Sequence, residues 1–105
     1  MSLLEKELET ELLKLYERWK AIGPPKNIFL RMVKKTRDTR LYKGPVGTVR
    51  HLLVGEPSTG FRDLVRAGKS DWTVEALILQ PKWKELFLDS ELQKAAARIK
   101  TAKSN

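Results

Sequence analysis

Cysteine is missing from all 105 residues, and that one absence excludes a disulfide framework, a thiolate zinc site, an iron–sulfur cluster and a cysteine nucleophile. Histidine occurs once, at His51. Long apolar runs are missing as well. None approaches the roughly 18 consecutive apolar residues of a membrane-spanning helix, so no membrane association is expected. The first residues contain no basic stretch followed by an apolar run, which sets the expectation of a cytoplasmic protein without a secretory leader. No window sustains period-2 alternation and neither Asn-Gly nor Asp-Gly occurs, so there is no hairpin signal. No internal repeat is visible.

What is present suits one helical domain spanning residues 1–105. Apolar residues make up 41% of the chain, and a chain of this size buries roughly 60 to 70% of its unfolded surface, enough to fold without a disulfide or a structural metal. The net charge of +8 is unevenly spread. Residues 1–17 hold two Lys against five Glu, residues 18–50 hold ten Lys or Arg against one Asp, and residues 51–105 hold nine basic against seven acidic side chains. The positive charge is therefore mostly one segment's property.

Apolar residues at Leu4, Leu8, Leu12, Leu15, Trp19 and Ile22 line one side of a long N-terminal helix. Glu11 with Lys14 and Glu17 with Lys20 stand at i,i+3, and Gly23-Pro24-Pro25 ends the helix. A second helix is predicted over 27–40, capped by Asn27, with Ile28, Phe29, Met32 and Val33 on one side. Gly44-Pro45 opens a third, with Val46, Val49, Leu52 and Leu53 inward and a stop at Gly55-Glu56-Pro57.

Ser58 caps a fourth helix, whose inner side is Phe61, Leu64 and Val65 and whose left-handed stop is Gly68. Residues 74–79 are apolar almost all round, the mark of a central helix, and Pro81 breaks it. Trp83, Leu86 and Phe87 form a short amphipathic stretch. Asp89-Ser90 then caps a last helix with Leu92, Ala95, Ala96 and Ile99 inward, and residues 100–105 form a frayed tail. The expectation is an all-α, irregular orthogonal bundle of six or seven helices joined by Gly/Pro turns.

Residues 60–99 carry a pattern: Gly60-Phe61, Leu64, Gly68, then Asp71-Trp72-Thr73-Val74-Glu75-Ala76-Leu77-Ile78-Leu79, Pro81, Trp83 and Leu86-Phe87. It resembles a pattern of small bacterial all-helical modules, and Phe29-Leu30-Arg31-Met32-Val33 resembles their early segment. Gly23-Pro24-Pro25 and Thr39-Arg40-Leu41-Tyr42 depart from it. The resemblance implies a fold and carries no activity, so no catalytic residue follows from it.

Catalytic constellations are not visible, and no enzyme is expected. His51 falls opposite Val49 and Leu52 on its helix and should face solvent without a partner to position it. Asp71 and Glu75 straddle a helix start, where acids cap free backbone N–H groups; a carboxylate pair for acid–base chemistry or a divalent ion is the competing reading. Gly44-Pro45-Val46-Gly47-Thr48 has the glycines of a phosphate cradle. It lacks the Lys-Ser/Thr of a P-loop and no strand precedes it, which favours a packing turn. No cofactor is expected.

The basic surface is the functional signal. Arg31, Lys34, Lys35 and Arg37 spread over the outer arc of the predicted second helix, Arg40, Tyr42 and Lys43 follow, and Arg62, Arg66 and Lys69 recur at i, i+4 and i+7. These ten residues suggest a non-catalytic module that binds nucleic-acid phosphates, with Tyr42 placed to stack on a base. A solvated face and binding to an acidic protein, or to the acidic end of the chain's own first helix, compete with it. A helix-turn-helix across Gly68-Lys69-Ser70-Asp71 is disfavoured. Its second helix presents Val74, Leu77 and Ile78 and no basic residue, so any DNA contact falls on the backbone with little sequence choice. The alternative is a protein-interaction adaptor or dimerisation module that uses the apolar stripe of the first helix.

Overall fold

The computed structural model describes residues 2–23, 29, 32, 33 and 44–103. Among the described residues every regular element is helical and none is a strand, so the fold is an all-α bundle with a long N-terminal helix.

Helix α1 spans Leu3–Trp19. The Ser2 hydroxyl accepts the Glu5 N–H at 3.1 Å and caps it, and both expected i,i+3 pairs form, Lys14 with Glu11 and Lys20 with Glu17. Leu8, Leu12 and Leu15 are buried. Ile22 is not part of that stripe: the chain tightens into a turn after Trp19, with the Ile22 and Gly23 N–H groups both donating to the Trp19 carbonyl, and Ile22 is left exposed. Tyr16, by contrast, is buried in the core. It stacks on Phe29 with ring centroids 6.2 Å apart, and Trp19 meets the same ring edge-on at 4.7 Å.

Phe29, Met32 and Val33 are helical and buried, as expected of the inner side of the helix predicted over 27–40. The rest of that helix, including Asn27, Ile28 and the outer arc, lies outside the described residues.

Helix α2 spans Gly44–Leu53. Gly44 enters it with φ +67°, a region that costs side chains with a Cβ, and Pro45 follows. Thr48 is fully buried and its hydroxyl donates to the Gly44 carbonyl. This is the packing turn that sequence favoured. Val49 and Leu53 face α1.

Helix α3 spans Thr59–Arg66. The Ser58 hydroxyl accepts the Phe61 N–H at 3.1 Å. At the other end Gly68 turns left-handed at φ +74°; its N–H reaches Val65 O at 3.0 Å and the Lys69 N–H reaches Leu64 O at 2.8 Å. That pair of bonds is a Schellman stop.

A 3-10 turn at Ser70–Trp72 leads to helix α4, Val74–Ile78. Thr73 caps α4 by accepting the Ala76 N–H at 3.0 Å. Val74, Leu77 and Ile78 are buried, but the helix is shorter than its apolar run and Leu79, beyond its end, is exposed. A second 3-10 segment, Pro81–Leu86, buries Trp83.

Helix α5, Asp89–Lys103, packs on α4 and α2. Its start is closed by Glu91, whose Oε1 accepts the Leu88 N–H at 2.7 Å, rather than by the expected Asp89-Ser90 pair. Ala95 and Ile99 face the core, whereas Ala96 is exposed. Ala96 stands one residue beyond Ala95, about 100° further round the helix. Helical backbone continues over 100–103.

Candidate functional site

Sequence placed the binding residues on two stripes. Arg31, Lys34, Lys35, Arg37, Arg40, Tyr42 and Lys43 lie outside the described residues. Of the second stripe, Arg62 and Arg66 are exposed on α3, one turn apart. Lys69 does not continue it. The Schellman stop ends the helix before that position, and the Lys69 ammonium turns onto the Trp72 ring, 4.9 Å from its centroid.

Three other cations are held in ion pairs between elements. Arg50 pairs with Glu91 at 2.8 Å, Lys82 with Glu7 at 3.4 Å and Arg98 with Glu75 at 2.9 Å. Arg62 and Arg66 have no acidic partner among the described residues.

Two hollows flank α3. A cleft of about 430 Å³ lies between α3 and α5, with Arg62 and Arg66 beside an apolar lining of Phe61, Val65, Ala97 and Ala102. On the other side of α3 is a groove of about 670 Å³, lined by Trp19, Phe29, Met32, Leu52, Phe61 and Leu64. Arg66 borders both. Arg66 thus stands between the two hollows, and Trp19, Phe29 and Met32, which also line the groove, belong to the segment that holds most of the chain's positive charge.

Arg98 also lines the α3/α5 cleft, but its charge is committed elsewhere. Nη1 donates to Glu75 Oε2 at 2.9 Å and to Leu52 O at 2.9 Å, while Nη2 donates to Leu53 O at 3.2 Å and to Gly55 O at 2.6 Å. One buried side chain therefore neutralises a buried carboxylate and caps the end of α2, where carbonyls have no partner within the helix.

Glu75 is accordingly not a helix-start acid of the expected kind. It is buried and ion-paired, and Thr73 makes the cap. Asp71 stays exposed in the 3-10 turn, so the two carboxylates do not converge on a shared site. His51 is exposed, as expected. Among the described residues no group of three or more His, Cys, Asp or Glu is arranged to hold a metal ion, and no helix is long and apolar enough to cross a membrane.

Arg98 escaped the sequence reading, although two signals pointed to it. A lone acid in the otherwise apolar run over 74–79 requires a cation, because an unpaired buried charge is prohibitively costly. Arg98 also shares a helix face with Ala95 and Ala102, at spacings of three and four.

The Leu8, Leu12 and Leu15 stripe of α1 packs into the chain's own core, so these three side chains are not an open docking surface.

No protein-family model, curated protein or solved structure matches this chain. The functional reading rests on its own residues.

Proposed function

We propose that this protein is a non-catalytic nucleic-acid-associated module that binds the phosphate backbone. The residues assigned to contact are Arg31, Lys34, Lys35, Arg37, Arg40 and Lys43, with Tyr42 beside them, joined by Arg62 and Arg66 of α3. The observation that carries the reading is Arg66. It lines a groove that Phe29 and Met32 also line, and these two belong to the segment with ten basic residues against one acid. Cations without acidic partners near a concentrated positive segment favour a polyanion, and each phosphate neutralised releases counterions.

The test is titration of labelled duplex and single-stranded DNA and RNA at two salt concentrations. Binding that weakens steeply with salt is expected. Affinity no tighter than millimolar at low salt overturns the reading, and an affinity unchanged by Lys34→Glu with Lys35→Glu overturns the assigned surface.

A further inference from the structure

The α3/α5 cleft has a chemistry that backbone binding alone does not use. It is an open surface hollow of about 430 Å³. Phe61, Val65, Ala97 and Ala102 supply apolar contact, and two guanidiniums stand at one wall. Arg98, the third arginine there, is neutralised by Glu75 and held by three carbonyls, so the cleft's available cationic donors are those of Arg62 and Arg66.

Arg62 and Arg66 are four residues apart, about 6 Å along the helix axis. Fork-shaped guanidiniums bind phosphate oxygens two at a time. An apolar hollow beside a pair of phosphate donors matches a nucleotide unit, whose flat base is apolar on its faces and whose phosphate is anionic.

Resting on the nucleic-acid reading above, we propose that the α3/α5 cleft receives an unstacked base of a single strand, with the adjoining phosphate on Arg62 and Arg66. A duplex keeps its bases stacked and paired, so it can meet the arginines but cannot fill the hollow. Single strands offer splayed bases that apolar and aromatic side chains hold without regard to sequence.

The experiment measures fluorescence anisotropy of a labelled twelve-nucleotide single strand and of the same sequence as a duplex, on the full chain. The single strand is expected to bind at least about fivefold more tightly, the low end of what one held base contributes. Ala97→Trp fills the hollow from an exposed helical position, and should remove that preference while leaving duplex affinity in place. Ala102→Glu is the second variant, in case the bulky one fails to fold by circular dichroism. It should weaken the single strand more than the duplex.

Equal affinity for both strands, with neither variant changing it, overturns the cleft assignment; if Lys34→Glu with Lys35→Glu still weakens both, the backbone reading stands without it. Absence of any nucleic-acid binding overturns both. Unlabelled polyglutamate that competes as well as an unlabelled single strand also overturns the assignment, because charge alone then accounts for binding.

Discussion

The guanidinium of Arg98 donates to the carboxylate of Glu75 at 2.9 Å, with both side chains almost fully buried. The same guanidinium takes the carbonyls of Leu52, Leu53 and Gly55. It joins three helices, α5, α4 and the end of α2, through one carboxylate and three carbonyls. Removing either member of a buried pair leaves the other charge uncompensated, at a cost of about 3 to 5 kcal/mol. Arg98→Ala should therefore lower the unfolding free energy by about that much in urea titration.

The carbonyls make a sharper test. Replacing a simple buried pair by apolar residues of similar size is often neutral or stabilising. Here Glu75→Leu with Arg98→Met should recover part of the loss but remain less stable than the native chain, because three carbonyls lose their donor at about 1 kcal/mol or more each where burial persists. Full recovery in the double variant would mean that the α2 cap contributes nothing.

Gly68 and Gly60 should respond to alanine in opposite directions. Gly68 holds φ +74° with open space where a Cβ would stand, so Gly68→Ala meets only backbone strain, about 1 to 2 kcal/mol. Gly60 is inside α3 without positive φ, and an added Cβ would find only Ser58 Oγ at 3.8 Å. Gly60→Ala should raise stability by about 0.5 to 1 kcal/mol. Thermal unfolding of the two variants side by side checks both signs.

The N-terminal stripe also yields a direct measurement. Leu12 has no exposed surface and belongs to the core cluster with Val49, Val33 and Trp83. Leu12→Ala should cost about 2 to 5 kcal/mol, the range for a buried leucine. A variant as stable as the native chain would return the stripe to consideration as a docking surface.

These relationships show where the sequence was readable. Period and turn chemistry identified α1, the Ser58 cap, the left-handed Gly68 and the buried face of Phe29, Met32 and Val33, because each depends on residues close in the chain. Arg98 and Glu75 stand 23 positions apart. Their pairing depends on how α5 crosses α4, which no local spacing encodes. Lys69 shows the same limit from the other side: helical spacing put it in line with Arg62 and Arg66, while the Schellman stop at Gly68 removed it from that face. The cleft was invisible for the same reason, since α3 and α5 meet only in three dimensions.

Salt dependence distinguishes the arginines from a merely solvated face. If Arg62 and Arg66 together neutralise the one phosphate beside the held base, the pair contributes about 0.7 to the slope of log affinity against log salt concentration. Arg62→Gln and Arg66→Gln together should flatten that slope by about 0.7 while leaving unfolding unchanged, because neither side chain has an ion-pair partner among the described residues. Arg50→Gln is the control. Arg50 is already paired with Glu91 at 2.8 Å, so its removal should leave the slope where it was. Equal flattening by the control would show that the slope reports overall charge and not a contact at α3. A slope unmoved by either change would place the bound phosphates away from α3.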